Sequence, residues 1–224
     1  MTPALTSPAT RTATPARTAV IPSRPGDHRA LRCAVAAGPL FLGAGAAQAL
    51  TRDGFDLTRN ALSQLALGGA GWVQALNFLV AGALLLVGAS GLRRTRAAGR
   101  GGPVLIAVFG LSFWAAAAFP ADAGAGFPVG APEATAITGT GAAHMAAGMI
   151  GYLALCAAFF VLARPLAERG HRTWAAASRV VPAVVLAGFT ASAVSVLAFT
   201  AGAALGLLWL SAVLLRLTAT PVPH

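Results

Sequence analysis

The chain has 224 residues, 57% of them hydrophobic and only 10% charged, where a soluble domain carries about 25% charged residues. All 16 basic residues are arginine, the formal net charge is +10, and the two cysteines, Cys33 and Cys156, lie in apolar runs. This balance excludes an ordinary soluble domain, a disulfide framework and a cysteine zinc site. The arginines stand in short clusters between apolar runs, which points to membrane anchoring and not to nucleic-acid binding.

In chain order, residues 1–26 are mostly Thr, Pro, Ala and Arg, and five prolines (Pro3, Pro8, Pro15, Pro22, Pro25) argue against a helix there. The segment lacks the apolar core of a signal peptide and reads as a disordered, weakly basic cytoplasmic tail. Apolar runs follow at 33–50, 72–92, 103–119 and 141–163, each without an interior Asp, Glu, Lys or Arg. Runs of roughly 17–23 residues cross ~30 Å of hydrocarbon, and one charge at the bilayer centre costs roughly 2.5–3.5 kcal/mol. The last apolar stretch, 180–217, would make a single helix of about 60 Å at ~1.5 Å per residue, so it must turn back. The turn is expected near Thr200-Ala201-Gly202, with helices at 179–199 and 201–217. The expected fold is therefore all-α, a polytopic bundle of six transmembrane helices over residues 27–220.

Arginine sets the expected orientation. With the N-terminus inside, the inner segments hold Arg11, Arg17, Arg24, Arg29 and Arg32, then Arg93, Arg94, Arg96 and Arg100, then Arg164, Arg169, Arg172 and Arg179, and finally Arg216. The outer loops hold only Arg52 and Arg59. Such a split predicts a cell-membrane protein with both termini cytoplasmic. Trp72 and Trp174 suit the interfacial belts.

The outer loops, 51–71 and 120–140, carry Asp53, Asp56, Asp122 and Glu133. From Thr58 the first has helical spacing, with Leu57, Ala61, Leu62 and Leu65 on one face and Asn60, Ser63 and Gln64 on another. A short amphipathic helix at the interface is expected, capped by Asp56 or Thr58. Gln74 and Asn77 share one face of the second helix, and His144 lies near the outer end of the fourth. These positions are expected to converge on one outward-facing pocket. Each has a plainer alternative. Asp56 and Arg59 make a loop ion pair, Ser63 is a surface hydroxyl, Asp122 caps the third helix, and His144, Gln74 and Asn77 bond between helices. Gly202 and Gly206, and Ala143, Ala147 and Gly151, have the spacing of close helix packing, and Ser192 and Ser195 fall on one face of the fifth expected helix.

The segment Gly54-Phe55-Asp56-Leu57-Thr58-Arg59-Asn60-Ala61-Leu62-Ser63-Gln64-Leu65, followed by Gly71-Trp72-Val73-Gln74-Ala75-Leu76-Asn77-Phe78, resembles the first outer-loop signature of the domain-of-unknown-function 998 membrane proteins, especially the actinobacterial ones. Phe119-Pro120-Ala121-Asp122, the Gly-Phe-Pro-x-Gly run at 126–130 and His144 resemble the second. The resemblance covers about residues 30–217. It implies a multi-pass bundle, usually of six helices, and no established activity. Asp56, Arg59, Ser63, Trp72, Asn77, Phe119, Pro120, Asp122 and His144 match the pattern, while the very short turn before the last helix departs from it.

Three functional readings follow. The first, favoured by the lack of any catalytic motif, is a non-enzymatic membrane protein that binds a lipid or small molecule or supports a partner. Asp56, Arg59, Asn60, Gln74 and Asn77 are its candidate ligand contacts. The second is a hydrolase at the outer leaflet, with His144 as base or metal ligand, Asp122 as its orienter or co-ligand and Ser63 or a water as nucleophile. A metal normally wants three protein ligands, so no metal site and no cofactor are expected. The third is a channel or transporter lined by Gln74, Asn77, Ser192 and Ser195. It requires a polar path through the midplane. The bilayer is the one certain partner, nucleic acid is not expected, and the sequence carries no signal for an oligomeric state.

Overall fold

The computed structural model of the chain describes residues 25–95 and 98–219. Six helices carry the fold: α1 (Pro25–Thr51), α2 (Gly71–Thr95), α3 (Gly101–Ala118), α4 (Gly139–Glu168), α5 (Arg172–Thr190) and α6 (Val196–Ala219). Single 3-10 turns stand at Leu62–Ala66 and Ala191–Ala193. All six helices are long and apolar enough to cross a membrane, and no named strand occurs among the described residues. The shortest, α3 at 18 residues, spans about 27 Å at ~1.5 Å per residue. Helices of this kind satisfy their own backbone polar groups, which hydrocarbon requires of any segment crossing it. Leu40, Leu79, Val104, Leu111, Leu153, Phe160, Val180, Leu208 and Leu215 are exposed around the outside. A perimeter so apolar belongs against lipid. The chain is a multi-pass integral membrane protein.

Each helix packs antiparallel to its neighbours in sequence, and α6 returns to α1, so the six form a closed ring. Asn77 Nδ2 donates to the Phe41 carbonyl (3.0 Å) across α1–α2, and Trp114 Nε1 to the Leu79 carbonyl (3.0 Å) across α2–α3. Phe109 of α3 meets Tyr152 of α4, and Tyr152 meets Phe189 of α5 at 4.7 Å. Trp209 Nε1 of α6 donates to Ser178 Oγ of α5 (3.1 Å), with Trp209 stacked on Trp174. The ring closes where Gly38 of α1 lies against α6, and a Cβ at Gly38 would come within 2.8 Å of the Leu207 carbonyl oxygen.

One end of the ring carries the arginine-bearing ends of the helices; the other carries the loops 52–70 and 119–138, the long-loop end. The arginine half is filled by Leu155, Phe159, Leu162, Leu166 and Val213, all fully buried.

The structure moves several boundaries. The α5–α6 turn is at residues 191–195, not 200–202. Gly202 lies inside α6, where a Cβ would sit 3.2 Å from the Gly188 Cα, so it serves the packing of the hairpin and not its turn. Ser195 Oγ accepts from the Ala198 N–H (3.1 Å) and caps α6. Ser192 and Ser195 therefore belong to the turn and not to one helical face. The tail expected over 1–26 lies outside the described residues, except that Pro25 and Gly26 open α1. Proline is accepted at a first helical position because its missing N–H has no intrahelical partner to lose.

Replacing Gly38 by Val should force α1 and α6 apart and destabilise the fold by about 1–3 kcal/mol, as overpacking does. Gly148→Ala, whose Cβ meets nothing within 4 Å, should be neutral or stabilising by up to about 1 kcal/mol. Thermal unfolding of both variants in detergent checks the contrast.

Candidate functional site

The long loops do not simply drape over the ring. From Asp56 to Asn60 the first makes a turn, closed by the Asn60 N–H on the Asp56 carbonyl (2.7 Å). The Asp56 carboxylate accepts from the Thr58 N–H (2.8 Å) and hydroxyl (2.7 Å). Those two bonds, the backbone one first, hold its carboxyl below the usual aspartate value. Such local side-chain bonding competes with a helix, and the amphipathic helix expected from Thr58 is replaced by this turn and the 3-10 turn at Leu62–Ala66.

The two loops are bound to each other. Asn60, fully buried, accepts the Asp56 N–H at Oδ1 (2.9 Å) and points Nδ2 at the Ala125 carbonyl (3.4 Å). Gln64 Nε2 donates to the Asp122 carbonyl (3.1 Å). Arg52 donates to the carbonyls of Leu65 (3.1 Å) and Leu67 (2.6 Å), with its guanidinium over the Phe127 ring. Arg59 pairs with Glu133 of the other loop, not with Asp56. Ala49, Leu65 and Phe127 form a small core of their own, with Phe55, Leu57, Leu62 and Leu67 against it. Together these make an ordered cap.

Under the cap, inside the ring, lies a cavity of about 370 Å³. Gly141, His144, Met145, Gly148, Met149 and Tyr152 line it from α4, and Val196, Phe199, Thr200, Ala203, Ala204 and Leu207 from α6. Both sets follow the spacing of one helical face. Phe41, Phe78 and Phe113 close the α1–α3 side, with Phe41 and Phe113 edge to face at 5.0 Å. Ser63, Gln64, Asp122 and Thr135 face it from the cap. The floor is at Tyr152 and Leu207, above the filled arginine half. Asp122 is the one Asp, Glu, Lys or Arg among the described lining residues. Deeper down, the Thr200 hydroxyl oxygen is shielded and meets no protein partner among the described residues.

The eight residues singled out from sequence thus divide three ways. Ser63, Asp122 and His144 all line this cavity. Asp56, Arg59 and Asn60 bind the cap together. Gln74 and Asn77 lock α1 to α2: Gln48 Nε2 donates to Gln74 Oε1 (2.7 Å), and so does Asn77 Nδ2 (3.1 Å). None of these last five lines the cavity.

Asp122 does not cap the end of α3 but serves the start of α4. It accepts from the Thr138 hydroxyl (2.5 Å) and N–H (3.1 Å), and Thr138 Oγ1 in turn accepts from the Gly141 N–H (3.1 Å). A negative charge is favourable at a helix N-terminus. The ring of His144 lies edge-on to Phe78, with Nδ1 2.8 Å from the Phe119 carbonyl. A carbonyl only accepts, so this bond assigns the proton to Nδ1 and leaves Nε2 as an acceptor in the neutral ring. His144 is therefore oriented by a backbone carbonyl and Asp122 by Thr138, so Asp122 is not the orienter of His144 that the sequence suggested.

The family described as Protein of unknown function (DUF998) has a model that matches residues 35–217, most of the chain. The chain belongs to this family. No curated protein and no solved structure matches it. In this member of the DUF998 family, Asn60, Gln64 and Phe127 of the loop signatures hold the cap, Ser63, Asp122 and His144 line its cavity, and Gln74 and Asn77 lock the first two helices. Sequence reasoning missed most of the cavity wall, because phenylalanine and methionine in an apolar run look alike on every face. Gln48 was legible in principle, as a lone amide in the first run.

Asn60→Ala should cost about 1–3 kcal/mol by leaving buried backbone groups unpaired, and should speed hydrogen exchange in both loops. Arg59→Ala removes an exposed pair and should stay within about 1 kcal/mol. Hydrogen–deuterium exchange and melting of the two variants test this ordering.

Proposed function

We propose that this protein is a non-enzymatic binder that holds one uncharged, largely apolar molecule, a lipid or a lipid-like small molecule, in the capped cavity. The cavity itself carries the reading. Its volume of about 370 Å³ falls in the ~300–1,000 Å³ range of small-molecule sites, which are mostly apolar with a few placed polar groups. Water would find few partners among Phe41, Phe78, Phe113, Met149 and Phe199. Hydrocarbon fills such a space at no polar cost. His144 Nε2 and Ser63 supply neutral polar anchors, and Asp122 disfavours an anionic ligand. A transport path finds no support in the packed arginine half.

The arginine distribution supports placing the long-loop end outside the cell membrane and both termini in the cytoplasm. With both cysteines replaced by alanine, a membrane-impermeant maleimide should label Thr135→Cys on intact cells, and Gly170→Cys only after permeabilisation. The reverse pattern would invert the topology.

The binding reading is tested by Gly148→Trp, which places an indole in the cavity from a position where a Cβ meets open space. Native mass spectrometry of the wild type should show a co-purifying lipid mass, and the variant should lose it while melting no lower. Equal lipid occupancy in both would refute the cavity as its site.

A further inference from the structure

The route into the cavity is also written in the helix lengths. In the ring α5 stands between α4 and α6, and it ends at Thr190. Its last inward aromatic, Phe189, packs on Tyr152. Beyond Tyr152, α4 continues toward the cap to Gly139, about 13 residues or ~20 Å, and α5 has no residues left to cover that flank. The exposure of the cavity wall changes there. Phe113 and Leu207 are buried, whereas Met145 and Met149 are 65% and 44% exposed. Above, the cap is tied together by the Asn60, Gln64, Arg52 and Arg59 contacts. A ligand arriving sideways past two methionines, the most adaptable of apolar side chains, breaks none.

Depth identifies the occupant. Counting back from Arg164, the first charge on α4 from its cap end, ~30 Å of hydrocarbon takes in about 20 residues and ends near His144. Met149 is therefore level with the acyl chains, Met145 and His144 with their boundary, and Ser63 and Asp122, in the cap, with the headgroups. The cavity has the polarity and direction of a lipid standing in its own leaflet.

We propose that the gap between the cap-side half of α4 and the α5–α6 turn is a lateral portal, through which an uncharged bilayer amphiphile passes directly between the leaflet and the cavity, chain toward Tyr152 and head toward His144. This rests on the binding reading and adds the route and the ligand class. The test uses the full chain with both native cysteines replaced by alanine and Gly148→Cys as reporter, in phosphatidylcholine nanodiscs that leave both faces open to water. An N-alkyl maleimide that partitions into the bilayer should label the reporter at least about tenfold faster than a sulfonated maleimide, which hydrocarbon excludes. Adding Met149→Trp should slow the alkyl reagent several-fold, and adding Arg59→Ala to loosen the cap should leave it unchanged. Equal rates for the two reagents, or a rate that answers to Arg59→Ala and not to Met149→Trp, would overturn the portal. Monoacylglycerol included in the nanodisc should protect the reporter. Lateral labelling without that protection would instead overturn the bound amphiphile while leaving the route in place, so the two failures are distinct.

Discussion

Lipid tails are as apolar as leucine, so helices in a bilayer gain little by hiding leucine against leucine. They hold together where backbones come close and where the few polar side chains find partners across the gap. Both devices appear at the seams of this ring. Gly38 lets α1 meet the Leu207 carbonyl, and Gly188 and Gly202 let α5 and α6 touch backbone to backbone. Gln48, Gln74 and Asn77 add an amide ladder between α1 and α2. These seams determine where the ring is tight. The cavity is what remains where α4 and α6, both lined by one helical face, stand apart under the loops.

The polar residues of the long-loop end answer a second demand. A loop at a membrane surface must satisfy its backbone without a sheet or helix ladder. Here side chains do it, with Asp56 on Thr58, Asn60 and Gln64 on the facing loop, and Asp122 on Thr138. The outcome is a cap with its own small core around Phe127, standing over the cavity at the long-loop end. The same polar groups that suggest chemistry in sequence thus serve structure first. Of the eight candidate residues, only His144, Ser63 and Asp122 line the cavity.

How much of this was legible depended on the kind of signal. Charge exclusion from five apolar runs gave six crossings, because a buried arginine or aspartate in hydrocarbon is expensive enough to leave an unmistakable gap. The last turn was misplaced because Thr200-Ala201-Gly202 offers small, flexible residues, yet the glycine serves close packing and the last helix starts at the Ser195 cap. The pairing of Arg59 with Asp56 was the nearest choice along the chain. Glu133, more than seventy residues away, is the partner because the two loops fold onto each other.

By itself, the sequence determined the membrane class, the number of crossings and the family, since hydropathy, length and ordered motifs are local properties that survive without coordinates. Tertiary structure alone decided that α6 closes on α1, that the loops form a cap, and that aromatic and methionine side chains from non-adjacent helices surround one blind cavity. In a helix apolar on every side no periodicity marks which face looks inward, so the division between lipid-facing and cavity-facing residues is made only when the neighbouring helices are in place.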